Sequence, residues 1–137
     1  MNPRRGHENL LHLQAKAEIG RLFHSLDWAV FYEQNCADIL VMHCGTRLIA
    51  AIEAESTPRN VARNLKRNLA YGCHAVAVIS LNDRFHGQIE KKALRLAAAR
   101  NQKNIRVFRY REQEVQELFD WIDKLTRTHV QVREAGA

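Results

Sequence analysis

Three carboxylates, Asp38, Glu53 and Glu55, are the residues of this chain best suited to chemistry. They sit in two apolar runs, residues 38–43 and 47–54, separated by the turn signal Gly45-Thr46, a pattern that predicts a β-hairpin. With a two-residue turn Cys44 pairs with Arg47, and the numbers of every facing pair sum to 91. A four-residue loop closed by His43 and Leu48 keeps that register; a three-residue loop does not. Asp38 then lies directly opposite Glu53, with Cβ atoms roughly 4.5–5.5 Å apart, and Glu55 points to the same face as Glu53. Opposed like charges destabilise a sheet, so something must offset them. A divalent cation is the simplest candidate, because Mg²⁺ favours a few carboxylate oxygens together with water and substrate phosphate. Glu18 borders the apolar stripe Leu11, Ala15, Ile19, Leu22 and is a candidate fourth acid. The plainer alternatives are that Asp38 caps a turn, that Glu53 and Glu55 face solvent, and that Glu18 pairs with an arginine.

These acids need a scaffold, and the periodicity supplies one. Residues 8–25 read as a helix and residues 28–33 as a strand, with Asn35 and Cys36 turning the chain into the hairpin. Thr57-Pro58 is a helix start and Gly72 a stop, and Val61, Leu65 and Leu69 form one apolar stripe between them. Residues 73–79 are apolar almost throughout, as in a strand covered on both faces. Phe85, Ile89, Ala93, Leu96 and Ala97 mark a further helix, and residues 105–110 a further strand. Val115, Leu118, Phe119, Ile122 and Leu125 mark a last helix whose first turns carry Glu112, Glu114 and Glu117. Residues 128–137 read as a short tail. The expected fold is α/β, a single domain over 1–137 with its core in about 8–127. A mixed sheet starts as an antiparallel meander, continues through parallel crossovers and is flanked by helices.

Charge is unevenly spread. The chain of 137 residues carries 21 Lys plus Arg against 15 Asp plus Glu. Between Ser56 and Arg111 there are 13 basic residues and only two acids, Asp83 and Glu90. Such a block suits a polyanion, because neutralised phosphates release counterions; a merely solvated basic face is the alternative. The helix following Glu55 carries Arg59, Arg63, Lys66 and Arg67 with Asn60, Asn64 and Asn68. Its N-terminal end lies near the acids, where free N–H groups favour phosphate, and Arg and Asn can donate to phosphate oxygens and base edges. An amphipathic helix with an ordinary polar face is the competing reading.

Other chemistries lack their residues. No run approaches the ~20 apolar residues of a membrane span, and the opening MNPRRGHENLLHLQ does not read as a secretory signal. Three cysteines, Cys36, Cys44 and Cys73, without a CxxC pair fit a reduced, cytoplasmic setting. His43, Cys44, Cys73 and His74 lack the close Cys-x₂₋₄-Cys spacing of common zinc sites. Phosphate-loop, dinucleotide and GxSxG signatures are missing.

The hairpin in its context resembles the PD-(D/E)xK, or restriction-endonuclease-like, nuclease superfamily. Ala37-Asp38 stands at the "PD" position and Glu53-Ala54-Glu55 at the "ExK" position, with a helix before and a helix and strand after, so the resemblance covers roughly residues 8–79. It implies a Mg²⁺- or Mn²⁺-dependent phosphodiesterase. Asp38, Glu53 and Glu55, with the Ala54 carbonyl, would hold metal, and the third motif residue would position or activate water. Glu18 would match the inward acid on the first helix of several members. Ala37 replaces the motif proline and Glu55 the motif lysine. Some members carry Glu there, and in others the lysine has moved to the next helix, where Lys66 stands. The expectation is a metal-dependent DNA endonuclease with Asp38, Glu53, Glu55 and Lys66 in catalytic roles. Arg59, Asn60, Arg63, Asn64 and Arg67 would lie on the nucleic acid. So short a chain has little room for a specificity domain, which points to structure-selective cleavage, a homodimer, or a part in a larger nucleoprotein machine of a mobile element or repair system. A nuclease-like fold that binds nucleic acid or protein without cutting is the alternative.

Overall fold

A computed structural model describes residues 10–33 and 37–136, with side chains through His129. Its order is α1 (Leu10–Leu22), β1 (Trp28–Tyr32), β2 (Ile39–His43), β3 (Ile49–Glu55), a 3₁₀ turn (Pro58–Asn60), α2 (Val61–Tyr71), β4 (Ala75–Ser80), α3 (Asp83–Ala99), β5 (Ile105–Arg109) and α4 (Glu112–Gly136). The five strands form one sheet in the order β1-β2-β3-β4-β5. β1, β2 and β3 are antiparallel neighbours, and β3, β4 and β5 are parallel. This is the expected α/β architecture of a mixed sheet between helices.

The hairpin has the expected register and the longer of the two loops. Ile39 faces Ile52 and Leu40 faces Ala51. The His43 N–H donates to the Leu48 carbonyl at 2.9 Å, and the Arg47 N–H to the His43 carbonyl at 2.8 Å. That four-residue loop closes because Arg47 adopts a left-handed backbone, φ 65°. The Thr46 hydroxyl, bonded to His43 Nδ1 at 3.0 Å, accepts the Leu48 N–H at 3.3 Å. β3 therefore begins at Ile49 rather than Arg47.

Both faces of the sheet are covered, so β3 and β4 are almost wholly buried. Alternate residues split into two cores. Ile39, Val41, Ile52, Ala54 and Ile79 pack under α1 and α4 with Ala15, Ile19, Phe23, Leu118 and Ile122. Leu40, Ala51, Val76 and Val78 pack under α2 and α3 with Val61, Leu65, Ile89 and Ala93. Glu53 and Glu55 have the parity of Ala51, and so face the α2–α3 layer. The sheet direction puts the end of β1, the start of β2 and the ends of β3, β4 and β5 along one rim.

Three helix boundaries depart from expectation. α1 ends at Leu22 rather than at residue 25. The segment from Thr57 to Tyr71 is a 3₁₀ turn followed by α2. The Thr57 hydroxyl accepts the Arg59 N–H at 3.4 Å, and Gly72, at φ 106°, caps the far end by donating to Asn68 and Leu69. Residues 128–136 are not a tail but the end of α4. No Pro or Gly interrupts that segment before Gly136, so nothing stops the helix at residue 127. The predicted turn at Asn35 and Cys36 lies outside the described residues.

Candidate active site: a buried carboxylate cluster on the sheet rim

The 38/53 register brings Asp38, at the mouth of β2, to the end of β3. Asp38 Oδ2 accepts the Ala54 N–H at 2.8 Å, which locks the side chain across the strand end. In a strand the C=O of a residue points to the same side as its N–H, so the Ala54 carbonyl also faces this edge. The Glu33 N–H donates to the Asp38 carbonyl at 3.2 Å and ties the end of β1 into the same rim. Glu53 is only 3% exposed, and its Oε1 accepts from Asn68 Nδ2 at 2.9 Å. Glu55 Oε1 accepts from Asn64 Nδ2 at 2.6 Å. Asn64 and Asn68 sit four residues apart on α2, one turn of one face, and serve successive outward positions of β3.

The electrostatics follow from this burial. Burial first, then the Asp38 charge, pushes the Glu53 carboxyl up to about 9, against the lowering bond from Asn68. Protonated, Glu53 hydrogen-bonds Asp38. Burial likewise raises Glu55, to about 7, although the bond from Asn64 and the charges of His12 and Arg63 pull it down. Burial also opposes ionisation of Asp38, but a hydrogen bond from His12, the Ala54 N–H and the charges of His12 and Lys16 outweigh it, so its carboxyl lies below the usual range. At neutral pH the cluster thus holds an ionised Asp38, a protonated Glu53 and a Glu55 near its midpoint.

The cationic partners come from α1. His12 Nε2 lies 3.4 Å from Asp38 Oδ2. Lys16, one turn on and only 8% exposed, pairs with Glu33 on the same rim. Neither was singled out from the sequence. Their i, i+4 spacing beside the Ala15–Ile19 stripe was the available signal.

Other expected participants lie elsewhere. Glu18 does not join the cluster: its carboxylate accepts from Tyr110 Oη at 2.6 Å and Gln14 Nε2 at 3.1 Å. It lines an open cleft of about 610 Å³ between α1, the end of β5 and the start of α4, which also holds Arg21 and Arg111. Lys66 follows Asn64 by two residues, ~200° around α2 from the side that meets Glu55, and it is exposed. It is not the relocated lysine of this cluster. Asn64 is committed to Glu55 rather than open to a nucleic acid. Asn60 is half-buried at the junction with the 3₁₀ turn. Arg59, Arg63 and Arg67 are exposed.

Among the described residues, no three His, Cys, Asp or Glu side chains are already spaced to hold a metal ion. The facing pair Asp38 and Glu53 does suit one. Mg²⁺ commonly binds through one or two carboxylates and completes its shell with water and phosphate, and a cation would take the place of the proton on Glu53. No described helix is long and apolar enough to cross a membrane. Comparison with protein-family models, curated proteins and solved structures finds no match to the chain.

Proposed function

We propose that the chain is a Mg²⁺- or Mn²⁺-dependent DNA endonuclease on a restriction-endonuclease-like sheet. One observation carries this reading: two carboxylates, half-buried Asp38 and buried Glu53, face each other at the end of a hairpin, beside a third acid and under a helix with a basic outer side. A sheet rim gains no stability from such a pair, and hydrolysis of a phosphodiester is a use for it. Asp38 and Glu53 are the residues that would hold the cation, with the Ala54 carbonyl on the same edge. When bound, the metal supplies Lewis-acid polarisation of the phosphate and a more acidic water.

The chain's own residues supply the rest. Glu55, oriented by Asn64 and titrating near 7, has the proton affinity of a general base at physiological pH, and accepts a proton from the attacking water. Lys16 and His12 hold positive charge beside Asp38, where the motif lysine of the resembled superfamily would contribute it. Arg59, Arg63 and Arg67 offer phosphate contacts on the outer side of α2.

Nicking of supercoiled plasmid tests the proposal. The chain should cleave with Mg²⁺ or Mn²⁺, stop in EDTA, and lose activity at least about a hundredfold as Asp38→Ala or Glu53→Ala. Failure of the unmodified protein to cleave with either metal, with DNA binding intact, would leave the alternative of a non-cutting binding module.

A further inference from the structure

α2 is not the only basic helix on its layer. On α3, Arg84, Gln88, Lys91, Lys92 and Arg95 recur at i, i+4, i+7, i+8 and i+11, and all five are exposed. That spacing confines them to one flank of the helix, ~100° wide. On the other side of the axis Ile89, Ala93 and Ala97 enter the core. The segment leading through α2 has the same pattern: Arg59, Arg63, Lys66 and Arg67 stand at i, i+4, i+7 and i+8, again all exposed. Lys92 Nζ donates to the Pro58 carbonyl at 3.3 Å, so the basic flank of α3 adjoins the start of the α2 stripe.

The opposite layer has the opposite balance. From Glu112 to His129, α4 carries Glu112, Glu114, Glu117, Asp120 and Asp123 against Lys124 and Arg127. The α2–α3 layer has eight cations against two acids: Asp83 pairs with Arg111 at 2.9 Å, and Glu90 lies 3.8 Å from His86. The positive charge is therefore gathered on the layer that also covers Glu53 and Glu55.

We propose that α2 and α3 together form a face for duplex DNA, in which Arg84, Lys91, Lys92 and Arg95 hold a second row of backbone phosphates beside the row held by α2. Packed helices lie ~8–10 Å apart, between the ~6 Å minor-groove and ~12 Å major-groove widths of B-form DNA. Two cation rows at that separation suit two backbones flanking a groove better than one strand. Arg84 to Arg95 spans ~16 Å along α3, about five base-pair steps. The inference rests on reading the chain as a DNA-acting protein, but not on cleavage.

Fluorescence anisotropy with a labelled 20-base-pair duplex in EDTA, over a salt series, tests it on the full chain. If about five phosphates are neutralised, log Kd changes with log salt by about 4–5 per decade. The double variant Lys91→Ala/Arg95→Ala should lower that slope by about two and weaken binding roughly tenfold or more, as should Arg63→Ala/Arg67→Ala. Lys124→Ala/Arg127→Ala on α4 should leave both unchanged. Parent-like binding by the α3 variant overturns the second row, and equal competition by an RNA duplex of the same sequence overturns the assignment to DNA. Cleavage with metal alongside a parent-like α3 variant would sink the face and spare the nuclease; salt-dependent binding as described, with no cleavage under any metal, would do the reverse.

Discussion

Replacing Glu53 by glutamine should stabilise the protein while abolishing its proposed activity. Glu53 is raised from 4.5 to about 9 by burial and by the charge of Asp38. A carboxyl with a raised native pKa binds more protons folded than unfolded between those two values, so its contribution is complete below about 4.5 and is lost as pH rises towards about 9. Each unit is worth about 1.4 kcal/mol, so between about pH 5 and pH 8 Glu53 alone removes on the order of 4 kcal/mol. Glutamine reproduces the protonated acid: its oxygen still accepts from Asn68, and its amide donates to Asp38. Urea denaturation in EDTA should show the unmodified protein weakening by several kcal/mol over that range and Glu53→Gln weakening much less. Glu55 also loses stability over this range, through its rise to about 7, but it is present in both proteins, so the difference between the two curves isolates Glu53. At about pH 8, saturating Mn²⁺ should restore stability to the unmodified protein only. Parallel pH curves would refute the reasoning, because they would mean that Glu53 is solvated and ionised in the native state.

The remaining predictions probe the supports of the cluster. Asn68→Ala removes the buried donor to Glu53 and should cost about 1–3 kcal/mol by denaturation at pH 5, where the carboxyl is neutral. Leu65→Ala, fully buried between α2 and the sheet, should cost about 2–5 kcal/mol in the same assay. Gly72→Ala meets no neighbouring atom but keeps φ at 106°, so about 1 kcal/mol of thermal-unfolding stability should be lost through backbone strain alone. In the nicking assay Lys16→Met should slow cleavage by about 10–100-fold, whereas Lys124→Met, on α4 and away from the basic face, should leave it within about twofold.

The hairpin was legible because alternation and one Gly-containing turn admit few registers, and every loop that preserves the pairing puts residue 38 opposite residue 53. The layer order was legible for a similar reason: the apolar run 73–79 reads as a strand covered on both faces, and the strand is Ala75–Ser80, with Cys73 and His74 outside it. Rotation about a helix axis was harder to read. Taking Leu11, Ala15, Ile19 and Leu22 as the stripe of α1 turned Glu18 inward; Ala15 and Ile19 are buried, but Leu11 is 39% exposed, and the other buried positions are Lys16 and Gly20. Turned that way, His12 and Lys16 come to the rim and Glu18 goes to Tyr110. The α2 stripe was turned for the same kind of reason. Leu69 is half-buried while Asn68 is fully buried, because Glu53 satisfies its amide inside the core. A polar residue looks outward in a hydrophobic pattern until its buried partner is known. Here donor and acceptor lie 15 residues apart on different elements.

Anomalous diffraction from a crystal soaked in Mn²⁺ addresses the cluster most directly. A peak coordinated by Asp38 and Glu53, lost in Glu53→Gln, is the expected result. Manganese bound only at other side chains, or none at a concentration that supports cleavage, would contradict it.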